Sequence, residues 1–441
     1  MSTITLNQDQ EEASKKIIDF IEGRLDLPYF TLTGGPGTGK SLMLKETLSR
    51  TPTYSFDRSA AAIAHAAKNV LDNFFDSSIP CYTVAQWLGQ KMKYTEDGEV
   101  VFIKDPKGIP KLSTTRLALL DEASMINDDT YDTIMNIVQQ HNIKLIAIGD
   151  KFQLGPVKQN HDSKFFDKID AELTIPMRFT GPIDDLVGIY RKEITDINHG
   201  YAGNRYALNE KTNRKSVYDA ELQSGYAFNN DIYALVEQAA SEIRDNPENI
   251  NFSRVLGFKN ATIDLVNKEI RKYIYGNHCN QFEQGEIVIS RGGFSVDKSP
   301  IIHNGKILKI EDFCDIPGPY GVPCLSMKFK DYNTKENVVI VKSNTEALNI
   351  YNSLKNKYLE NAKRDPKQWV NYYNFIDSFA YFDYAYSVNA YRSQGQTLNN
   401  VYVLENEIMS VKPLSLKQKF QALYVAMTRA SKNLYIYNKE F

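Results

Sequence analysis

The chain has 441 residues, ordinary hydrophobic (42%) and charged (24%) fractions and a formal net charge of −2, as in a soluble globular protein. This charge excludes a global attraction to nucleic acid or anionic membrane, so any nucleic-acid site has to be a local groove. The four cysteines are scattered without disulfide or metal spacing, which fits a reducing cytosol. Neither a signal peptide nor a membrane-spanning run is present, so we expect a cytoplasmic protein with no membrane partner.

The first feature along the chain is a glycine-rich loop from Gly34 to Ser41, of the pattern G-x-x-x-x-G-K-S. It follows an apolar run, Tyr29–Thr33, that predicts a buried strand, and precedes a segment that predicts a helix. Such a loop binds the phosphates of a nucleoside triphosphate with its backbone N–H groups and the helix N-terminus. Lys40 is expected to reach the β- and γ-phosphates, and the Ser41 hydroxyl to hold Mg²⁺. The expected phosphate-binding positions are Gly35, Gly37, Thr38, Gly39, Lys40 and Ser41. The alternative, a flexible glycine turn, leaves the Lys-Ser pair unexplained.

Residues 1–180 alternate apolar strands with helical patterns, as a parallel α/β sheet does. The predicted strands are Phe30–Thr33, Ser59–Ile63, Leu117–Leu120 and Leu145–Ile148. An insertion at 88–112 interrupts this unit, and its Asp97-Gly98 between two β-prone runs predicts a hairpin.

A second α/β unit is predicted from 181 to 285, with a strand at Arg254–Phe258 and a helix at Ala261–Tyr275. Short β runs separated by turn signals then predict a small antiparallel barrel inserted at 286–374, followed within that range by a helical stretch that begins at Thr345. The α/β pattern resumes near Tyr384, so 375–441 is expected to complete the second unit.

Acidic and amide side chains follow two of the predicted strands. Asp121 is expected to hold Mg²⁺ through water and Glu122 to polarise the attacking water, since phosphoryl transfer needs mainly positioning and charge neutralisation. Gln153 is a candidate partner of the γ-phosphate, with a plain loop glutamine as the alternative. Arg178 and Arg429 stand out near the second unit, and an arginine presented from that unit would complete the γ-phosphate cage.

Taken in order, these segments resemble the motifs of superfamily 1 helicases. Leu6–Gln10 is similar to the adenine-reading glutamine motif, with Gln10 in the key place, and Asn389–Thr397 and Leu423–Arg429 resemble the later motifs. The match runs from residue 6 to residue 430. Gln-Leu-x-Pro-Val at Gln153–Val157 and Ser-Gln-Gly-x-Thr at Ser393–Thr397 resemble the 5′-to-3′ branch, which is the RecD/Dda/Pif1-like one.

The resemblance implies an α/β fold of two RecA-like P-loop domains, with a pin hairpin inserted in the first and a small SH3-like β-barrel in the second. It implies ATP and Mg²⁺ as cofactors, with Gly395 also at the nucleotide. The implied activity is 5′-to-3′ translocation on single-stranded DNA and unwinding of forked duplex DNA in replication, recombination or repair. A monomer is implied, in the host cytoplasm if the source is viral, with a single-strand binding protein or other replication proteins as candidate partners.

The resemblance also implies a DNA track, in which Phe102 of the hairpin acts as the wedge. The candidate track residues are His65, Lys68, Thr83, Asn260, Tyr391 and Arg392. The sequence departs from the family pattern at Ala64, Ala85 and Tyr391, all in DNA-facing motifs. Structural alternatives stay open for three of these features. His65 is alternatively a helix-cap or core histidine, Lys68 a residue of a solvated helix face, and the hairpin a structural extension of the domain without a role in unwinding. An RNA-acting relative and a nucleotide-gated binding protein without unwinding are the alternative functions.

Overall fold

The computed structural model describes residues 5–51, 57–63, 65–76, 78–94, 100–105, 108–156, 159, 161–175, 181–198, 215–291, 294–296, 299–330, 332 and 337–439. No helix within these ranges combines the length and the hydrophobicity that a membrane span requires.

Alternating strands and helices form the N-terminal part of the chain. The strands are β1 (Phe30–Gly34), β2 (Arg58–Ala62), β3 (Cys81–Thr83), β4 (Gln90–Tyr94), β5 (Val100–Lys104), β6 (Leu117–Leu120), β7 (Lys144–Gly149) and β8 (Ala171–Leu173). The helices are α1 (Gln8–Ile21), α2 (Lys40–Ser49), α3 (His65–Phe74), α4 (Val84–Trp87) and α5 (Asp128–Gln140). The four predicted strands are present as β1, β2, β6 and β7, with small differences at their ends.

Six of these strands form one parallel sheet in the order β3-β2-β6-β7-β1-β8. Its central strands are buried along their length, as expected where helices cover both faces of a parallel sheet. Strands β4 and β5 pair with each other antiparallel, and the pin hairpin stays a prediction. Its turn, including Asp97 and Gly98, lies outside the described residues. We call this sheet with its helices the first lobe.

The described C-terminal part contains three further sheets, of six, five and two strands. The strands are β9 (Val217–Asp219), β10 (Ser224–Asn229), β11 (Ser253–Gly257), β12 (Ile287–Arg291), β13 (Phe294–Val296), β14 (Ser299–Ile302), β15 (Ile307–Pro317), β16 (Pro323–Phe329), β17 (Val338–Val341), β18 (Tyr381–Tyr384), β19 (Ser387–Asn389), β20 (Leu398–Leu404) and β21 (Ala430–Tyr437). The described helices are α6 (Pro182–Asn198), α7 (Ile232–Asp245), α8 (Asn260–Tyr275), α9 (Thr345–Arg364), α10 (Trp369–Asp377), α11 (Glu405–Met409) and α12 (Leu416–Met427).

The second lobe is built on a six-stranded sheet of order β19-β11-β20-β21-β10-β9, parallel except for the edge strand β9. Its core includes the C-terminal helix α12, in which every residue from Phe420 to Met427 is buried. Leu154, from the loop that follows β7 of the first lobe, belongs to the same cluster of buried side chains. The two lobes therefore share packed contacts at that loop.

A five-stranded antiparallel sheet, β17-β16-β15-β12-β18, separates α8 from the last part of the second lobe along the chain. Its edge strand β18 lies beyond residue 374, where the sequence predicts that the insertion ends. The buried carboxylate of Glu286, just before β12, pairs with Arg271 of α8 at 2.5 Å and so ties this sheet to the second lobe. The SH3-like barrel and the domain limits stay predictions.

Candidate active site between the two lobes

The glycine-rich loop connects β1 to α2 and has close neighbours on both sides. Gly37 and Gly39 have φ of +78° and +77°, which favours glycine. A Cβ on Gly34 would lie 2.7 Å from the Thr38 hydroxyl, and one on Gly35 would lie 2.8 Å from Nη2 of Arg191. The loop therefore has no room for side chains at these two positions.

Lys40 lies at the start of α2, where its ammonium donates to the carbonyl oxygens of Gly34 (2.7 Å) and Gly35 (3.0 Å). Burial lowers the pKa of Lys40, against the opposing effect of nearby Asp150, Glu122 and Asp121. The lysine therefore lies near the predicted acid pair and near one further carboxylate, that of Asp150, while its role at the phosphates stays a prediction.

Asp121 and Glu122 follow β6 at its carboxyl end. Glu122 has a left-handed backbone (φ 53°), and its N–H donates to Oδ1 of Asp121 at 2.9 Å. Strained conformations of this kind recur at functional sites. Burial and the neighbouring Asp121 raise the pKa of Glu122 to about 7, and burial raises the pKa of Asp121. Asp121 and Ser41 line the same pocket.

The loop after β7 supplies an acid and an amide. Asp150 is buried, and its Oδ1 accepts from the N–H of Phe152 at 3.0 Å. Burial raises the pKa of Asp150, and Lys40 opposes that rise. Gln153 is also buried, and among the described residues nothing donates to its side-chain Oε1. Water, an ion or a ligand group satisfies such a buried acceptor.

Side chains of α6 and α12 reach this site from the second lobe. The hydroxyl of Tyr424 donates to Oδ2 of Asp150 at 2.8 Å. Arg191 of α6 lies over the Tyr424 ring, with 5.6 Å between the guanidinium carbon and the ring centroid. Arg429 donates through Nε to the carbonyl of Val425 at 2.9 Å and lies near enough to affect the pKa of Lys40 and Glu122. Arg178, the other predicted arginine, lies outside the described residues.

Gln10 contacts the glycine-rich loop directly. Its Nε2 donates to the carbonyl of Thr38 at 3.0 Å, and its Oε1 accepts from the N–H of Asn7 in a capping box that begins α1. Gly395, with φ +76°, is exposed beyond β19. The bond from Gln10 to Thr38 places the glutamine against the phosphate loop, while adenine recognition by Gln10 stays a prediction.

Three of the predicted DNA-binding residues lie together on the second lobe. Asn260 and Arg392 line one pocket, and Arg392 pairs with Asp383 at 3.6 Å. Tyr391, next to it, packs on Phe258 with ring centroids 5.4 Å apart. The pocket is also lined by Arg291, which pairs with the same Asp383. This surface therefore has two guanidinium groups beside an aromatic ring.

The other DNA candidates lie on the first lobe. Thr83 is buried and caps α4, accepting from the N–H of Gln86 at 3.3 Å, so its structural role is clear. Lys68 pairs with Asp72 on α3 and lies close to His303, in the connection between β14 and β15. Burial lowers the pKa of that histidine, and the charge of Lys68 lowers it further. His65 begins α3, and its side chain is outside the described set.

The comparisons with known proteins agree with this geometry. A family model described as an AAA domain matches residues 5–182, and one described as a UvrD-like helicase C-terminal domain matches residues 384–437. The ATP-dependent DNA helicase dda of Enterobacteria phage T4 is 23% identical, over 91% of this chain and 92% of that protein. The chain belongs to the Pif1/Dda-like helicases of superfamily 1.

Two further relatives extend the comparison of this Pif1/Dda-like helicase. An uncharacterised protein of Acanthamoeba polyphaga mimivirus is 24% identical, over 97% of this chain and 99% of that protein. The crystal structure of Pif1 helicase from Bacteroides with ADP-AlF3 and single-stranded DNA is 14% identical and covers 100% of this chain and 94% of that chain. Its TM-score of 0.51 shows a shared fold.

Sequence reasoning missed four site residues of this helicase: Asp150, Arg191, Gln421 and Tyr424. Tyr424 stands inside the motif segment Leu423–Arg429, and Asp150 directly follows the apolar strand that precedes Gln153, so the polar residues of these segments were the available signal. Arg191 has no local signal, because a lone arginine in an amphipathic helix is normally a surface residue.

Proposed function

We propose that the chain is an ATP-dependent 5′-to-3′ translocase on single-stranded DNA that unwinds duplex DNA. One observation carries the proposal: the phosphate loop of the first lobe and helix α12 of the second lobe converge on one set of buried carboxylates. A nucleotide bound there touches both lobes, so its binding and hydrolysis change how the lobes are held together. Such a change moves a motor only if its two states differ in affinity for nucleotide and for the strand.

The first lobe supplies most of the proposed ATP site. Lys40, with the backbone N–H groups of its loop, binds the β- and γ-phosphates, and Glu122 orients the attacking water. The Gln153 amide would donate through Nε2 to the γ-phosphate, or accept from that water through its Oε1, which has no donor among the described residues. Arg429, and Arg178 by the resemblance, neutralise charge that develops during phosphoryl transfer.

The residues present fit a magnesium ion. Ser41 and Asp121 would hold it, and their hydroxyl and carboxylate oxygens are the ligand types that Mg²⁺ prefers. Within the described ranges no group of three or more His, Cys, Asp or Glu side chains is arranged to hold a metal. When bound there, Mg²⁺ would neutralise phosphate charge during hydrolysis, with phosphate and water as its other ligands.

The proposed DNA track combines ring stacking with phosphate contacts, which tolerate any sequence. On the second lobe the track residues are Tyr391, Arg392 and Asn260, which lie together. On the first lobe Lys68 stays in the proposal from the sequence, with its ammonium paired to Asp72, and Thr83 would act through the start of α4. His65 stays in the proposal from sequence alone. The Bacteroides Pif1 structure, described with single-stranded DNA, supports a track on this fold.

The hairpin of β4 and β5 is the proposed pin that separates the strands. Phe102 is 58% exposed on β5, and an apolar ring held out on a rigid hairpin fits a wedge against a base pair. We further propose that the protein acts as a monomer on forked duplex DNA, in replication, recombination or repair. Its partner would be a single-strand binding protein, and its location the host cytoplasm if the source is viral.

The test is ATP hydrolysis with and without nucleic acid. We expect oligo-dT to stimulate hydrolysis strongly and Lys40→Ala to abolish it. Hydrolysis at the same rate with and without oligo-dT would contradict the coupling, and stronger stimulation by the matching RNA would point to an RNA track.

A further inference from the structure

One face of α12 presents hydrogen-bond donors to the first lobe. The donors occupy the i, i+4 and i+7 positions that share a helical face. The three bonds join Lys417 to Asp162 (2.7 Å), Gln421 Nε2 to the carbonyl of Gln153 (2.8 Å) and Tyr424 to Asp150 (2.8 Å). All three acceptors belong to the loop that follows β7, so α12 is hydrogen-bonded to that loop at three positions.

The bonds made by Gln421 and Tyr424 are the stronger ones, because they are buried. Gln421 and Tyr424 are buried, as are Asp150 and Gln153, whereas the Lys417 pair is partly exposed. The Tyr424 bond ends on a carboxylate and the Gln421 bond on a backbone carbonyl, and leaving either buried acceptor unpaired is costly. We call the two buried bonds, from Gln421 to Gln153 and from Tyr424 to Asp150, the interlobe clasp.

The clasp also has a fixed orientation. Arg191 stacks over the Tyr424 ring, and a Cβ on Gly35 would lie 2.8 Å from the Arg191 guanidinium and 3.2 Å from the Tyr424 hydroxyl. Phe152 packs edge-on against the same ring at 6.0 Å. The tyrosine is therefore held between α6, the phosphate loop and the loop that carries Gln153.

We propose that Gln421 and Tyr424 are positioning residues, which place Gln153 for hydrolysis only when the second lobe is seated against the first. The proposal rests on the helicase function proposed above and identifies the contacts by which lobe movement on DNA controls ATP turnover. The clasp fixes the backbone at Gln153 and the side chain of Asp150, and its release frees both.

Tyr424→Phe tests the clasp, because it keeps the ring under Arg191 and removes only the hydroxyl. The matched control is Tyr386→Phe, which removes another buried hydroxyl of the same lobe, bonded to Tyr275 at 3.1 Å. We expect Tyr424→Phe to lower kcat at saturating oligo-dT by about tenfold or more, the factor typical of a buried bond to a carboxylate. The Kd for Mg²⁺–ADP should change by less than about threefold, a small free-energy change, and the control should match wild type in both.

Gln421→Leu is the second variant, since it removes only the donor to the Gln153 carbonyl, and it should show the same loss of kcat. It decides the outcome alone if Tyr424→Phe loses its thermal unfolding transition. The clasp is overturned if the deciding variant matches Tyr386→Phe in kcat, or if ADP affinity falls as much as kcat. Failure of the helicase function is a separate result, because it appears in the wild type as hydrolysis that oligo-dT does not stimulate.

Discussion

Gln10 and Thr38 are joined by a 3.0 Å hydrogen bond from the glutamine side-chain nitrogen to a carbonyl oxygen of the phosphate loop. The family resemblance gives this glutamine the task of reading adenine, and the bond gives it a second one, which is to hold the loop. The two tasks predict different effects on nucleotides that carry other bases.

Gln10→Leu should therefore raise the KM for ATP and for GTP alike, by about fivefold or more, because losing a buried hydrogen bond costs about 1–3 kcal/mol. Steady-state hydrolysis with each nucleotide at saturating oligo-dT measures the effect. A rise for ATP alone would mean that the bond to Thr38 does not support the loop.

The hydroxyl of Tyr424 should also set the acid limit of hydrolysis. Burial raises the pKa of Asp150, and Lys40, Tyr424 and Arg191 oppose that rise. The carboxylate of Glu122 is close enough for the charge of Asp150 to help raise the pKa of Glu122. Asp150 accepts the Tyr424 bond best as a carboxylate, so activity falls as pH falls through its pKa. Because Tyr424→Phe removes one of the opposing groups, the acid limb of kcat should move to higher pH. An unmoved limb would contradict this, and Tyr386→Phe serves as the control.

Phe102→Ala should slow duplex unwinding by about fivefold or more, since base–aromatic stacking contributes about 1–3 kcal/mol. Hydrolysis stimulated by oligo-dT should stay normal, because the hairpin lies away from the residues that face Lys40. Ile109→Ala is the control, as Ile109 is 72% exposed in the same insertion and outside both strands. Normal unwinding by Phe102→Ala would contradict the wedge and leave the hairpin with only a structural role in the first lobe.

Arg392 and Asp383 predict opposite effects on binding of single-stranded DNA. Arg392→Ala should weaken binding and reduce the slope of log K against log salt by about 1, as expected for one lost phosphate contact. Asp383→Asn should tighten binding, because Asp383 pairs with both Arg291 and Arg392 and so competes with phosphate. Fluorescence anisotropy with oligo-dT across a salt series measures both, and equal slopes for all three proteins would remove Arg392 from the track.

The nucleotide site was the most predictable part of this chain, because its chemistry is local. The loop from Gly34 to Ser41 joins a strand to a helix in eight residues, and Asp121 and Glu122 follow a strand that is apolar throughout. Parallel α/β topology places the carboxyl ends of such strands together, so the two segments meet without any long-range information.

The contacts between lobes were not predictable in the same way. Tyr424 and Asp150 are 274 residues apart in the chain, and no periodic pattern relates them. Strand β18 directly precedes the point where the α/β pattern resumes, yet it pairs with β12 of the antiparallel sheet. Strands β3 and β8 have three residues each, too few to produce a pattern of their own.

Polarity-resolved unwinding tests the central claim most directly: turnover of one nucleotide between two lobes drives movement along a strand. With ATP and Mg²⁺, the wild-type protein should separate a duplex that has a 5′ single-stranded tail and leave one with only a 3′ tail intact, while Lys40→Ala should separate neither. Equal separation by wild type and Lys40→Ala, or no separation of the 5′-tailed duplex despite stimulated hydrolysis, would contradict the account.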